Sequence, residues 1–274
     1  MNGTLNYTGE IIDVHTHVFP PSLAVKAAEN TANYYGLGRQ GDGTAECLLR
    51  GAEGLKNKVR FVVSSAALHA GSVSAGNSYL ASLAEGDSRF IPLASFHPDM
   101  GLEAAEAELI RAKAAGAKGI KLHCDFQGFA IDDERAVEIY RVCARLGLPV
   151  LFHVGDRKSD LSHPRRLISV AERVPELTVI AAHMGGYSVW DEAEKYIIGA
   201  PVYVDTSEAL LGMDAAGLYR LIQKHGVERV MFGSDYPLWF TGHAFAGLEQ
   251  CALTPQEKSL VYCETAKKVF GIDK

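Results

Sequence analysis

Short apolar and β-branched runs alternate along this chain with longer stretches whose apolar residues recur every three or four positions, the pattern of strands and helices laid down in turn. Eight runs read as strands, at residues 11–14, 59–66, 90–96, 119–123, 149–153, 177–182, 202–205 and 230–233. Between them, residues 101–115, 132–146 and 164–174 carry the i, i+3, i+4 spacing of helices laid against a sheet. Glycine falls just past a helix and ahead of a strand at Gly116, Gly147 and Gly226, the turn chemistry of such connections. Eight parallel strands, each followed by a helix, are expected to close into a barrel. One long polar insertion, residues 31–44 with Gly36, Gly38, Gly41 and Gly43, follows the first strand. It is predicted as a loop over the barrel mouth or as a loose connection. No linker or low-complexity segment interrupts the pattern, so residues 1–274 read as a single domain.

Composition narrows the partners. The 274 residues, 47% hydrophobic and 22% charged, suit one α/β barrel, whose usual size is about 250 residues. Five scattered cysteines without a Cys-x-x-Cys pair point to reduced thiols in a cytoplasmic protein. Residues 1–9 are short and polar, unlike a secretory signal, and no apolar stretch approaches the roughly 18 residues that cross a bilayer. With 27 Lys plus Arg against 33 Asp plus Glu and no basic cluster beyond Arg165-Arg166, a nucleic-acid partner is excluded in favour of a small molecule.

The candidate chemistry gathers at strand ends, where a barrel of this kind builds its active site. His15-Thr16-His17 leaves the first strand with two imidazoles on one side, able to grip a transition metal at adjacent positions when neutral. Strand three ends in His97, strand four in Lys121 and His123, strand five in His153, strand six in His183 and strand eight in Asp235. Six of the ten histidines thus sit at strand ends, which favours a metal or catalytic site over six separately packed rings. His97 is the first candidate for a supporting hydrogen-bond role. Phe19, Phe126, Phe129, Trp190, Tyr236 and Trp239 also follow strand ends and suggest an aromatic mouth, or simple packing at the rim.

Asp13-Val14-His15-Thr16-His17, Gly119-Ile120-Lys121-Leu122-His123, His153, His183-Met184-Gly185-Gly186 and Phe232-Gly233-Ser234-Asp235-Tyr236-Pro237 together resemble the amidohydrolase superfamily, in its amidohydrolase-2 branch. That branch holds hydrolases, lactonases and decarboxylases similar to aminocarboxymuconate semialdehyde decarboxylase. The resemblance implies an α/β (β/α)8 TIM barrel without the flanking β-sandwich of other amidohydrolases, because the first barrel strand begins almost at once. It implies that His15, His17, His153 and Asp235 hold one divalent ion, expected to be zinc. Three imidazoles, a carboxylate and an open position match a catalytic zinc, and a bound water would be about nine pK units more acidic than bulk water. Asp235 is then the general base, and His183 polarises the substrate or stabilises an oxyanion. Lys121 reads in three ways: as a point charge for a substrate anion, as a carboxylated bridge to a second metal, or as a buried salt-bridge partner of Asp205 or Asp235. His123 and Arg157 complete the substrate-binding candidates, Arg157 as a carboxylate clamp.

Metal-dependent hydrolysis of an amide, ester or lactone is the leading expectation. Nonoxidative decarboxylation of a small unsaturated or aromatic acid uses a nearly identical site and stands second. A noncatalytic barrel that binds a small ligand stands third. A barrel phosphodiesterase fits less well, since such enzymes usually place a glutamate where this chain has Lys121. A homodimer is the assembly the resemblance allows.

Overall fold

The computed structural model describes residues 7–273. Eight parallel strands follow one another in chain order around a single sheet: β1 (Ile11–His17), β2 (Val59–Ser64), β3 (Phe90–Ala94), β4 (Gly119–Leu122), β5 (Val150–Phe152), β6 (Val179–Ala181), β7 (Tyr203–Asp205) and β8 (Val230–Met231). The barrel closes between the first and last strands. Val14 N donates to Phe232 O, Asp235 N to His15 O, and His17 N to Tyr236 O, at 2.8 to 2.9 Å. All eight predicted strands are present, and among the described residues every strand belongs to this sheet.

Alternate residues of each strand feed two different cores. Ile12, Val14, Val62, Leu93, Leu151, Ile180 and Met231 fill the barrel itself. Ile120, Leu122, Val150, Phe152, Val179, Val204 and Val230 face outward against the helices, so the strands other than β4 carry apolar residues toward both sides. Lys121, between Ile120 and Leu122, therefore points inward and is fully buried.

The covering helices begin with α1 (Pro21–Tyr35), α2 (Ala45–Arg50), α3 (Val73–Gly86) and α4 (Leu102–Ala114), then a short α5 (Cys124–Gln127) and α6 (Glu134–Leu146). α6 shows the local logic: Asp133 caps it by accepting from Arg135 N, Gly147 ends it in the left-handed region, and Ala136, Val137, Tyr140 and Cys143 form its buried face. Pro164–Arg173, Trp190–Tyr196, Ala215–His225 and Thr241–Leu248 complete the ring. The C-terminal Thr265–Phe270 helix turns under the barrel, where Ala266, Phe270 and Ile272 join the interior core as its floor.

The polar insertion differs from its reading as loop. α1 runs on through Thr31 to Tyr35 and ends at the left-handed Gly36, because Ala24, Ala28 and Ala32 form a buried i, i+4 stripe that outweighs the weak helix propensity of Thr, Asn and Tyr. The cysteines are unpaired and buried. Among the described residues, no helix is long and apolar enough to cross a membrane.

Candidate metal centre

Asp13 ties the ends of β1 and β8 together. Its Oδ1 accepts from His15 N at 3.3 Å and Ser234 N at 3.0 Å, and its Oδ2 accepts from Thr241 Oγ1 at 2.7 Å. Burial nonetheless pushes its carboxyl up to about 6. Gly233 is required here, since a Cβ would lie 2.9 Å from His15 Cβ. The clamp sets three donors in mutual contact: His15 Nε2 and His17 Nε2 are 3.2 Å apart, and Asp235 Oδ1 lies 3.2 Å from the first and 3.3 Å from the second.

The surrounding hydrogen bonds decide which ring nitrogens carry protons. Asp205, at the end of β7, takes the Nδ1 proton of His15 at 2.9 Å and leaves a lone pair on Nε2. Ser64 gives its own proton to Thr16 O at 3.1 Å and accepts from His17 Nδ1 at 3.2 Å, so His17 also presents Nε2 as a lone pair. Ser207 donates to Asp205 and accepts from His183 Nδ1 at 2.9 Å, with the same result for His183. His153 donates Nε2–H to Gly155 O at 2.9 Å, which leaves its Nδ1 facing His183 Nε2 at 3.0 Å.

Between His15, His17 and Asp235 no proton remains, and the same holds between His153 and His183. Donors about 2.1 Å from one ion lie roughly 3.0–3.4 Å apart at octahedral or tetrahedral angles. The separations of 3.0 to 3.3 Å match that spacing, so the donor set fits a divalent cation. His15, His183 and Asp235 also offer donors within 4.8 Å of one another. The fold thus brings His15, His17 and Asp235 into one group and joins His153 to it through His183, which stands among the donors rather than apart from them.

Burial lowers His17 to about 4 and His153 to about 3, the neutral state a metal ligand requires. Burial works to raise the Asp235 carboxyl, but the facing imidazoles of His15 and His17 prevail and hold it well below the usual carboxylate range. Lys121 reaches the group from β4, with Nζ 3.0 Å from His15 Nε2. Burial lowers its ammonium to about 8 against the opposing pull of Asp235 and Asp205.

The remaining predicted residues are distributed unevenly. His123 caps α5, stacks on Phe126 at 3.8 Å and on His153 at 4.0 Å, and so lies behind the donor group. Arg157 is exposed and donates from Nε to Ser188 O at 2.7 Å, on the surface rather than in the centre. His97 is occupied by Gln127 O at 3.0 Å and Asp99 N at 3.2 Å. Of the aromatic residues, Trp190 donates to His183 O at 3.1 Å, whereas Tyr236 is buried packing that bonds Thr44 O at 2.9 Å.

Tyr35, Asp125 and Glu208 escape the sequence reading, whereas Ser207, open by sequence to a bond with ligand or scaffold, bonds Asp205 and His183. Tyr35 Oη stands 3.0 Å from His123 Nε2 and 3.3 Å from His153 Nε2, carried there by the last turn of α1. Ser207 sets the tautomer of His183. Asp125 is buried beside His153, the two side chains 4.0 Å apart at their closest polar atoms. Glu208 is buried near Asp235, and burial together with that charge raises its carboxyl well above normal. Only Asp125 and Ser207 carried a sequence signal, each lying two residues from another site residue. The backbone is unusual here as well: His183, Met184, Glu208 and Asp235 adopt φ of 60°, 51°, 54° and 63°, a left-handed region that side chains rarely enter.

A parallel barrel with imidazoles and a carboxylate converging at its C-terminal rim defines an enzyme-type barrel with a candidate metal site. Residues 12–272 match the amidohydrolase family, and the chain belongs to it. No curated protein matches it. Solved structures extend the likeness in fold. An uncharacterized TIM-barrel protein from Bordetella bronchiseptica is 18% identical with a TM-score of 0.76, over 96% of this chain and 99% of that one. A dihydroxybenzoic acid decarboxylase from Polaromonas sp., with bound manganese and the inhibitor 2-nitroresorcinol, is 16% identical with a TM-score of 0.73, over 97% and 98%. The 5-carboxyvanillate decarboxylase of Sphingomonas paucimobilis is 16% identical with a TM-score of 0.72, over 96% and 99%.

Proposed function

We propose that the protein is a metal-dependent decarboxylase of small aromatic or unsaturated carboxylic acids. The observation that carries this reading is Lys121, an ammonium buried inside the barrel and 3.0 Å from a ligand imidazole, where a substrate carboxylate needs a positive partner. A neutral amide or lactone makes no such demand. Arg157, expected as the clamp, lies at the surface, and Lys121 takes that role. The decarboxylases among the fold neighbours support the same choice over the hydrolysis that the sequence reading placed first.

His15, His17, His183 and Asp235 would hold the ion, with His153 beside them. A bound divalent metal supplies Lewis acidity toward the substrate's oxygens. Nitrogen-rich donors favour zinc over manganese by intrinsic affinity, although two fold neighbours carry manganese. Lys121 holds the carboxylate by charge. As the carbon–carbon bond breaks, carbon dioxide leaves and the electron pair remains on the substrate carbon. That carbon takes a proton from the Glu208–Asp235 pair, which holds one proton between two carboxyls and regains it from water.

Hydrolysis at the same centre is the second reading, favoured by an Asp235 carboxylate kept ionised and therefore ready as a base. The test is carbon dioxide release by the metal-loaded protein across small aromatic and unsaturated acids, in parallel with a lactone and amide panel. Lys121→Met is expected to abolish carbon dioxide release while retaining bound metal. Lactone or amide turnover without any carbon dioxide release would replace the first reading by the second.

A further inference from the structure

Asp125 is the least accounted-for charge in the described structure. Its side chain is 1% exposed, yet neither carboxylate oxygen finds a hydrogen-bond donor among the described residues. A buried carboxylate without a partner is costly, and such groups persist where something else supplies the partner. The neighbouring groups do not. His153 directs its Nε2 proton to Gly155 O at 2.9 Å. Asp156 is satisfied by Tyr34 Oη at 2.8 Å and Lys158 N at 2.7 Å. Lys158 itself turns to the Tyr34 carbonyl and rides over the Tyr34 ring, 4.6 Å from its centre.

The walls around Asp125 favour a cation. Tyr34 meets Tyr35 and Phe126 edge to face at 4.8 and 4.9 Å, so electron-rich rings and a carboxylate share one corner, and Lys158 already shows that Tyr34 accepts an ammonium on its face. A metal ion bound jointly by His123, Asp125 and His153 is disfavoured despite their proximity. The two imidazoles stack at 4.0 Å with planes only 7° apart, so their lone pairs run parallel instead of converging.

We propose that this corner binds a protonated amine: the substrate is a small carboxylic acid that also carries an ammonium group, and Asp125 is its partner, reached when the last turn of α1 lifts. This rests on the decarboxylase reading for the acid and adds the amine. His153 spans the distance, with Nδ1 toward the metal donors and Nε2 toward Asp125. One small molecule can therefore place its carboxylate at Lys121 and its nitrogen at Asp125.

The test is calorimetric binding of the aminomethylbenzoate isomers, against the matching methylbenzoates, to the full chain loaded with manganese. At least one ammonium isomer is expected to bind about tenfold or more tightly than the methylbenzoate that lacks the ammonium, the worth of one charge-assisted contact. In Asp125→Asn that preference collapses while methylbenzoate binding is retained. The same variant, which removes an unpartnered charge, is expected to melt no lower than the wild type in the absence of ligand. Binding of both series without preference overturns the inference and leaves the decarboxylase reading standing; binding of neither overturns both. Wild-type preference that survives in Asp125→Asn, a lowered melting temperature in that variant, or a second metal equivalent lost with Asp125 also overturns it.

Discussion

Asp205→Asn isolates the role of a residue that touches no substrate. Asp205 uses its two oxygens differently: Oδ1 accepts from His183 N at 3.1 Å, from Ser207 N at 3.0 Å and from the Ser207 hydroxyl, while Oδ2 faces His15 Nδ1 at 2.9 Å. Asparagine keeps Oδ1 and the shape but turns an NH2 group toward His15. Two donors then oppose each other, and His15 escapes by moving its proton from Nδ1 to Nε2, the atom that faces His17 and Asp235. Loss of an outer partner of this kind typically costs 10–100-fold in metal affinity, or about 1.4–2.8 kcal/mol. The lost charge-assisted bond costs the fold about 1.5–3 kcal/mol, and each kcal/mol lowers the melting temperature of a chain this size by roughly 2–4 °C. Chelator competition with zinc or manganese reads the first quantity, and thermal unfolding of the metal-free protein reads the second. Wild-type metal affinity in a folded Asp205→Asn protein would refute the tautomer reasoning on which the donor set depends.

His17→Ala is expected to abolish both stoichiometric metal binding and turnover, read by elemental analysis and the assay above; full activity in that variant would remove His17 from the site. Phe270→Ala opens a cavity in the barrel floor and is expected to cost about 3–5 kcal/mol in denaturant unfolding, with metal affinity unchanged. Glu10 sits at that end too, with Lys58 at 2.9 Å, Arg60 at 2.9 Å and Lys267 at 3.0 Å. Burial works to raise its carboxyl, but these cations win and lower it to about 2. A depressed folded-state value means stability that is full above the unfolded carboxyl value near 4.5 and lost as pH falls toward 2. The stability gap between wild type and Glu10→Gln, measured by urea unfolding, should therefore be open at pH 7 and shrink below pH 4.5; a gap independent of pH would contradict the assignment.

The barrel is legible because strands buried on both faces are largely apolar, and because chemistry placed at strand ends leaves His15, His17, His123, His153 and His183 at or just after the end of such a run. Tyr35 was not legible. It reaches His123 across 88 residues, and the polar letters around it concealed the alanine stripe that extends α1. The sequence offers Asp205 as an alternative partner for Lys121, whereas the fold gives it to His15. A one-dimensional pattern marks which side chains face inward but not which of several inward neighbours will meet. Arg157 shows the converse: its position after β5 was suggestive, yet the chain turns there and directs the guanidinium to Ser188.

The left-handed conformations of His183, Met184, Glu208 and Asp235 have a corollary for stability. Each such conformation is disfavoured by roughly 1–2 kcal/mol for an L residue, and glycine would relax it. Met184 is fully buried in the core, so Met184→Gly would relax the backbone but lose about 2–5 kcal/mol of packing, more than the strain it relieves. The side chain that packs the core is thus the one that keeps the turn under His183 wound, and the rim cannot slacken there without the barrel losing stability.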